Sequence, residues 1–249
     1  MVALVNQPLI FFIPGTSCDH SLWSKLWQLL NNLQGAENKY RFVHLTIKSS
    51  GSMKEIVAAL VLDIQQQALN QPFHLVGFSL GGYLASAVSL KFKAQLKSLI
   101  VLANTPKSLP VSELEQRKKI SSAIKRKGYK GLNRNRVVDF IDRRESANDE
   151  LIHSIQRMAN AFTQEEVLHH LVALSDREDL CDLLVKSQRP IYFCFGESDA
   201  LVDFARMREM QCHSQHIKVL VVASSGHFLP LEQPQDLAVN ILNWLENQS

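Results

Sequence analysis

Apolar and polar positions follow two rhythms along this chain. Short, nearly unbroken apolar runs are separated by stretches in which apolar residues recur every three or four positions. The first run, Leu9-Ile10-Phe11-Phe12-Ile13, is stopped by Pro14-Gly15. A run of that kind suits a strand buried on both faces. From about His20, the residues Leu22, Trp23, Leu26, Trp27, Leu30 and Leu33 form an apolar stripe that predicts a helix. A strand is expected over Arg41 to Ile47, a helix over Met53 to Leu69 and a strand over Phe73 to Gly77. Leu80 to Phe92 reads as a helix rich in small residues, and Leu96 to Ala103 as a strand. Ile191 to Phe195 and Ile217 to Val222 supply the last two strands. Pro234 to Glu246 is the closing helix, with Pro234 in the first turn, where its missing N–H is no loss. Apolar strands alternating with helices predict an α/β fold, a mostly parallel sheet flanked by helices.

The segment from Pro106 to Ser187 breaks that alternation. It holds no convincing strand but several helical stretches, among them Glu113 to Lys127 and Asp149 to Leu174. It reads as a helical cap inserted between two strands. The expected organisation is a core of residues 1–105 and 188–249 with a cap of residues 106–187.

Composition narrows the class. With 249 residues, 46% of them hydrophobic, the chain can bury one sizeable core. Cys18, Cys181, Cys194 and Cys212 are scattered without C-x-x-C pairs, which fits neither a disulfide framework nor a zinc site. Met1 to Gln7 carries no basic leader signature, and no apolar run approaches the ~20 residues of a membrane span. The expectation is a cytoplasmic protein.

Candidate chemistry begins at Gly77-Phe78-Ser79-Leu80-Gly81-Gly82, which ends a strand and opens a helix. The pattern G-x-S-x-G puts its serine on a sharp strand-to-helix turn, where glycines are needed because a Cβ would clash. A glycine-rich turn without chemistry gives the same letters, but the flanks favour a nucleophile. A serine hydroxyl needs a histidine base, itself oriented by a carboxylate. Of nine histidines, His44 and His74 lie in strands as packing or edge residues. His20, His153, His169, His170, His213 and His216 lie in or beside helices and read as surface or cap residues. His227 differs, lying in the loop Ser224-Ser225-Gly226-His227-Phe228 just after the last strand, at the end of the sheet where such folds place their sites. For the acid, Asp199 ends Gly196-Glu197-Ser198-Asp199 at the same edge. Glu197 and Asp203 compete: Glu197 reads as solvent-facing, Asp203 as a first-turn residue of the next helix.

These segments, with Gly226-His227-Phe228-Leu229-Pro230-Leu231-Glu232-Gln233-Pro234, resemble the α/β-hydrolase superfamily. The chain is similar to small bacterial capped serine hydrolases: carboxylesterases, pimeloyl-acyl-carrier-protein methyl esterases and the triad-bearing SHCHC synthases. The resemblance spans nearly everything but the cap. It implies an oxyanion hole of two backbone N–H groups, one from Leu80 after the nucleophile and one from the loop after the early strand. That loop reads His-Gly-x in many members. Here it is Pro14-Gly15-Thr16-Ser17, so the matching donor is Thr16, and Thr16 or Ser17 could add a hydroxyl near the site.

The resulting expectation is hydrolysis of an ester or thioester by Ser79, His227 and Asp199, with the cap excluding water. A lyase or C–C hydrolase could use the same three residues, and a binding protein could use the scaffold without them. No metal-ligand spacing, phosphate loop or nicotinamide fingerprint occurs, so no cofactor is expected. Charge adds one feature. Net charge is +3, yet Arg117 to Arg144 holds eleven basic residues against Asp139 and Asp142, a local +9 (11 − 2). A solvated helix face explains such a run. It would also suit an acidic acyl carrier protein or a coenzyme A thioester. Nucleic acid is disfavoured, because only Tyr129 and Phe140 could stack.

Overall fold

A computed structural model describes residues 7–34, 39–92 and 94–248. The leader reading of Met1 to Gln7 falls, but for Gln7, outside the described residues. Six strands form one parallel sheet: β1 (Leu9–Ile13), β2 (Arg41–His44), β3 (Phe73–Phe78), β4 (Leu96–Leu102), β5 (Ile191–Gly196) and β6 (Ile217–Val222). Their order across the sheet is β2-β1-β3-β4-β5-β6, and every described pairing is parallel. Successive residues point to opposite faces, and both faces are lined. Phe11, Leu75, Val101 and Phe193 belong to one buried cluster, while Phe12, Val76, Ile100 and Cys194 belong to the other. This is why β1 and β5 read as unbroken apolar runs, and β3 as one interrupted only by the buried His74. The edge strands are different: β2 is only partly buried and Val221 in β6 is exposed.

Helices cover the two faces: α1 (Ser24–Gln34), α2 (Met53–Ala68), α3 (Leu80–Ser89), α9 (Phe204–His213), α10 (Leu229–Glu232) and α11 (Pro234–Glu246). Ser52 starts α2 with a capping box to Glu55, and Leu69 ends it in the left-handed conformation. The expected helix from His20 begins as a 3₁₀ turn, His20–Trp23, because Asp19 caps that turn through Ser21 N before α1 takes over.

Between β4 and β5 the chain makes α4 (Val111–Lys127), α5 (Arg134–Val138), α6 (Asp149–Asn160), α7 (Gln164–Val172) and α8 (Cys181–Lys186), with no strand among the described residues. The single helical stretch expected over Asp149 to Leu174 is broken after Asn160. Thr163 restarts it with a capping box to Glu166, which satisfies the first-turn N–H groups of α7. His170, expected at the surface, is buried in α7, and burial lowers its pKa to about 4. No helix among the described residues is long and apolar enough to cross a membrane.

Candidate active site

The loops that follow β1, β3, β5 and β6 converge at the carboxyl end of the sheet, where open α/β folds place their sites. The loop after β3 is the sharpest. Ser79 has φ 52° and ψ −119°, a region that costs a non-glycine residue of order 1–3 kcal/mol. Its N–H donates to the Leu102 carbonyl at 2.9 Å, and its own carbonyl accepts from Gly82 N at 2.8 Å. Fully buried neighbours such as Phe78 and Phe12 each contribute roughly 2 kcal/mol by burial, so the strain is small beside the packing that imposes it. The flanking glycines are required. A Cβ on Gly77 would lie 2.2 Å from the Gly81 carbonyl oxygen, and one on Gly81 equally close to the Ile13 and Pro14 carbonyls. That last contact seats the β1 loop directly on the start of α3.

His227 Nε2 lies 3.0 Å from Ser79 Oγ, and His227 Nδ1 lies 2.9 Å from Asp199 Oδ2. A proton on Nδ1 donated to Asp199 leaves Nε2 as the acceptor for the serine hydroxyl. Asp199 is buried, and its other oxygen accepts from Leu201 N at 2.9 Å. Ser79 itself is only half-buried. The competing acids are elsewhere. Asp203 caps α9 by accepting from Arg206 N and pairs with Lys107, while Glu197 is exposed beside Arg144. A chain of hydrogen bonds from a buried carboxylate through imidazole to a hydroxyl can draw the hydroxyl proton away while the oxygen attacks an electrophile.

The open side of Ser79 is a cleft of about 250 Å³. Thr16, Leu80 and His227 line it with residues of the helical insertion, including Lys107, Glu113, Arg117 and Arg177. Leu80 opens α3, so its N–H is among the first-turn donors without an intrahelical acceptor. Ser17 is buried at φ 54°, beside the Tyr129 phenol of the insertion, and is absent from the cleft lining. The hydroxyl expected from this loop is therefore that of Thr16 alone. Asn104 Oδ1 also lines this region, buried and without a partner. No group of three metal-ligating side chains occurs among the described residues.

The model of the alpha/beta hydrolase family matches residues 10–240. The chain belongs to that family. No curated protein matches this alpha/beta hydrolase in sequence. Solved structures match its fold along nearly the whole chain. A thermophilic esterase from Thermogutta terrifontis, solved with malate bound, superposes with a TM-score of 0.82 at 21% identity, over 98% of this chain and 91% of that one. The enol-lactonase of Burkholderia xenovorans LB400 gives 0.82 at 13%, over 97% and 92%. MenH from S. aureus gives 0.76 at 16%, over 99% and 96%.

Around His227 this hydrolase uses residues that local sequence reading passed over. The His227 N–H donates to the Phe140 carbonyl, in the insertion, at 2.6 Å. Glu232 Oε2 accepts from Gly226 N at 2.8 Å and from Asp142 N at 2.7 Å, tying the histidine loop to the same insertion. Glu232 Oε1 is buried without a partner, and burial pushes this carboxyl up to about 7. Asp142, also buried, accepts from the Arg144 guanidinium and from the Ser198 hydroxyl at 2.6 Å, which holds its pKa well below the usual carboxylate range. Glu232 lies in the family-like segment after His227, where an acid amid apolar residues is a signal. Nothing local marks Phe140 or Asp142.

Proposed function

We propose that this alpha/beta hydrolase is a serine hydrolase that cleaves a carboxylic ester or thioester through an acyl-enzyme, with Ser79 as nucleophile, His227 as base and Asp199 as its orienting acid. The observation that carries the reading is the pair of hydrogen bonds, 2.9 and 3.0 Å, linking Asp199 to His227 and His227 to Ser79. As Ser79 Oγ adds to the carbonyl carbon, His227 Nε2 takes the hydroxyl proton. The N–H groups of Thr16 and Leu80 receive the developing oxyanion, each worth ~3 kcal/mol in the transition state. His227 gives its proton to the departing alkoxide or thiolate. It then takes one from the water that adds to the acyl-enzyme, and the collapsing intermediate releases the acid and restores Ser79. Residues 106–187 act as a cap that limits water and selects the substrate.

A fluorophosphonate probe should label the protein once, at Ser79, and Ser79→Ala should abolish both labelling and ester hydrolysis. Labelling that persists in Ser79→Ala overturns the assignment.

The fold likeness to an enol-lactonase and to MenH supports keeping a second reading, in which the same three residues serve a lyase or C–C bond hydrolase. An enol-ester panel beside simple acyl esters separates the two. As a partner we keep an acidic acyl carrier protein or a coenzyme A thioester. The support is α4, where Lys118, Lys119, Lys125, Arg126 and Lys127 are exposed and form no ion pair among the described residues. The cytoplasm remains the proposed setting, supported by four free cysteines, three of them buried.

A further inference from the structure

The charges lining the cleft do not cancel. Lys107, Arg117 and Arg177 face Glu113 and Asp203. Lys107 pairs with Asp203, and Arg117 takes Glu113 at 2.9 Å. Arg177 is left over. It is buried, 9% exposed, and no carboxylate among the described residues lies within ion-pair distance of it. Its sequence neighbours Asp176, Glu178 and Asp179 could have neutralised it, yet all three are exposed and only the arginine turns inward.

A guanidinium carries five N–H donors. One, on Nε, donates to the Leu174 carbonyl at 2.9 Å, and no acceptor among the described residues takes the other four. The guanidinium lies over the Tyr83 ring, 5.1 Å from its centre, while the Tyr83 hydroxyl donates to the Glu178 carbonyl at 3.1 Å. The ring contact holds the guanidinium in place without neutralising it. Burial, and then repulsion from Arg117, lowers the Arg177 pKa to about 10, against a smaller opposing pull from the Glu113 carboxylate. A cation held at 9% exposure without a counter-charge works against folding, and a purely structural anchor would be better served by an apolar side chain.

Position supplies the rest. Tyr83 N donates to the Ser79 carbonyl, so the backbone that carries this ring is one helical turn along α3 from Ser79, and Arg177 lines the same cleft as Ser79. We propose that Arg177 is an anion-binding residue of this cleft, and that the substrate is an ester carrying an ionised carboxylate at a distance from its reacting carbonyl that the cleft of about 250 Å³ spans. This rests on the hydrolase reading above and names its substrate class. The fork of Arg177 matches a carboxylate in a bidentate pair, which fixes both the distance and the plane of the substrate's far end.

The test compares monomethyl glutarate and monomethyl adipate with their neutral counterparts methyl valerate and methyl hexanoate, read as methanol release. Wild type should favour the anionic esters in kcat/KM. Arg177→Gln should lower the anionic-to-neutral ratio by about tenfold to hundredfold, the range of a charge-assisted hydrogen bond, chiefly through KM. Arg177→Lys keeps the charge without the fork, and should recover part of the ratio even if Arg177→Gln folds poorly. Calorimetry on Ser79→Ala should show monomethyl adipate binding more tightly than methyl hexanoate, with the difference shrinking in salt. No preference for the anionic ester in wild type, or equal losses on both esters in the Arg177 variants, overturns the proposal. Because the calorimetry needs no turnover, failure of the Ser79 assignment and failure of the Arg177 assignment are told apart.

Discussion

The backbone N–H of His227 donates to the carbonyl of Phe140 at 2.6 Å, so the helical insertion holds the main chain of the histidine loop as well as roofing the cleft. Gly226, one residue earlier, permits this approach: a Cβ there would meet the Phe140 carbonyl oxygen at 2.6 Å and Asp142 N at 2.8 Å. Gly226→Ala should therefore push the insertion and the histidine loop apart. The expected result is a fall in kcat of about a hundredfold, as for a displacement near 1 Å, with slower fluorophosphonate labelling of Ser79. Retention of wild-type kcat would show that the contact does not position His227.

The choice of acid has its own measurement. Asp199→Asn should preserve the fold but cut kcat by about 10⁴, because the amide favours the wrong imidazole tautomer. Asp203→Asn should do much less, since asparagine also caps helices and only the pair with Lys107 weakens. A crippled Asp203→Asn with an active Asp199→Asn reverses the assignment.

Glu232 gives a pH signature in stability. Its ordinary pKa of 4.5 is raised by burial to about 7 in the folded protein. Between those values the native carboxyl keeps a proton that the unfolded chain releases. Its contribution is thus fully present below about pH 4.5 and lost as pH rises through 7. The loss is on the order of 3 kcal/mol. Denaturant titrations from pH 5 to 8 should show Glu232→Gln gaining on wild type as pH rises. A difference that stays flat over this window rules out the raised pKa.

The exposed basic face of α4 bears on the proposed acidic partner. Arg134 and Arg136 are engaged by Asp149 and Asp139, so the charges on α4 free for an acidic partner are those of Lys118, Lys119, Lys125, Arg126 and Lys127. Lys125→Glu with Arg126→Glu should lower kcat/KM for an acyl-carrier-protein ester and flatten its salt dependence, by contrast with a short neutral ester. Equal responses on both substrates would leave that face without a role in recognition.

Periodicity and local turn chemistry were enough to read β1, β3, β5 and the elbow at Ser79, because those signals lie within a few residues. An unbroken apolar run means a strand covered on both faces, and G-x-S-x-G marks a turn that only glycines allow. The same locality separated Asp199 and His227 from their rivals, since both follow strand ends. The break between α6 and α7 was also written locally, in Thr163 and Glu166, but was hidden by a continuous apolar period across it. Other features depend on contacts between residues far apart in the chain. Phe140 meets His227, Glu232 bridges Gly226 and Asp142, and Arg177 turns inward beside the exposed Asp176, Glu178 and Asp179. Burial and the absence of a counter-charge are properties of the packed chain. Sequence alone therefore marked Ser79, Asp199 and His227 at the sheet's edge, while the tertiary structure decided what holds the histidine loop and which cation is buried without a counter-charge.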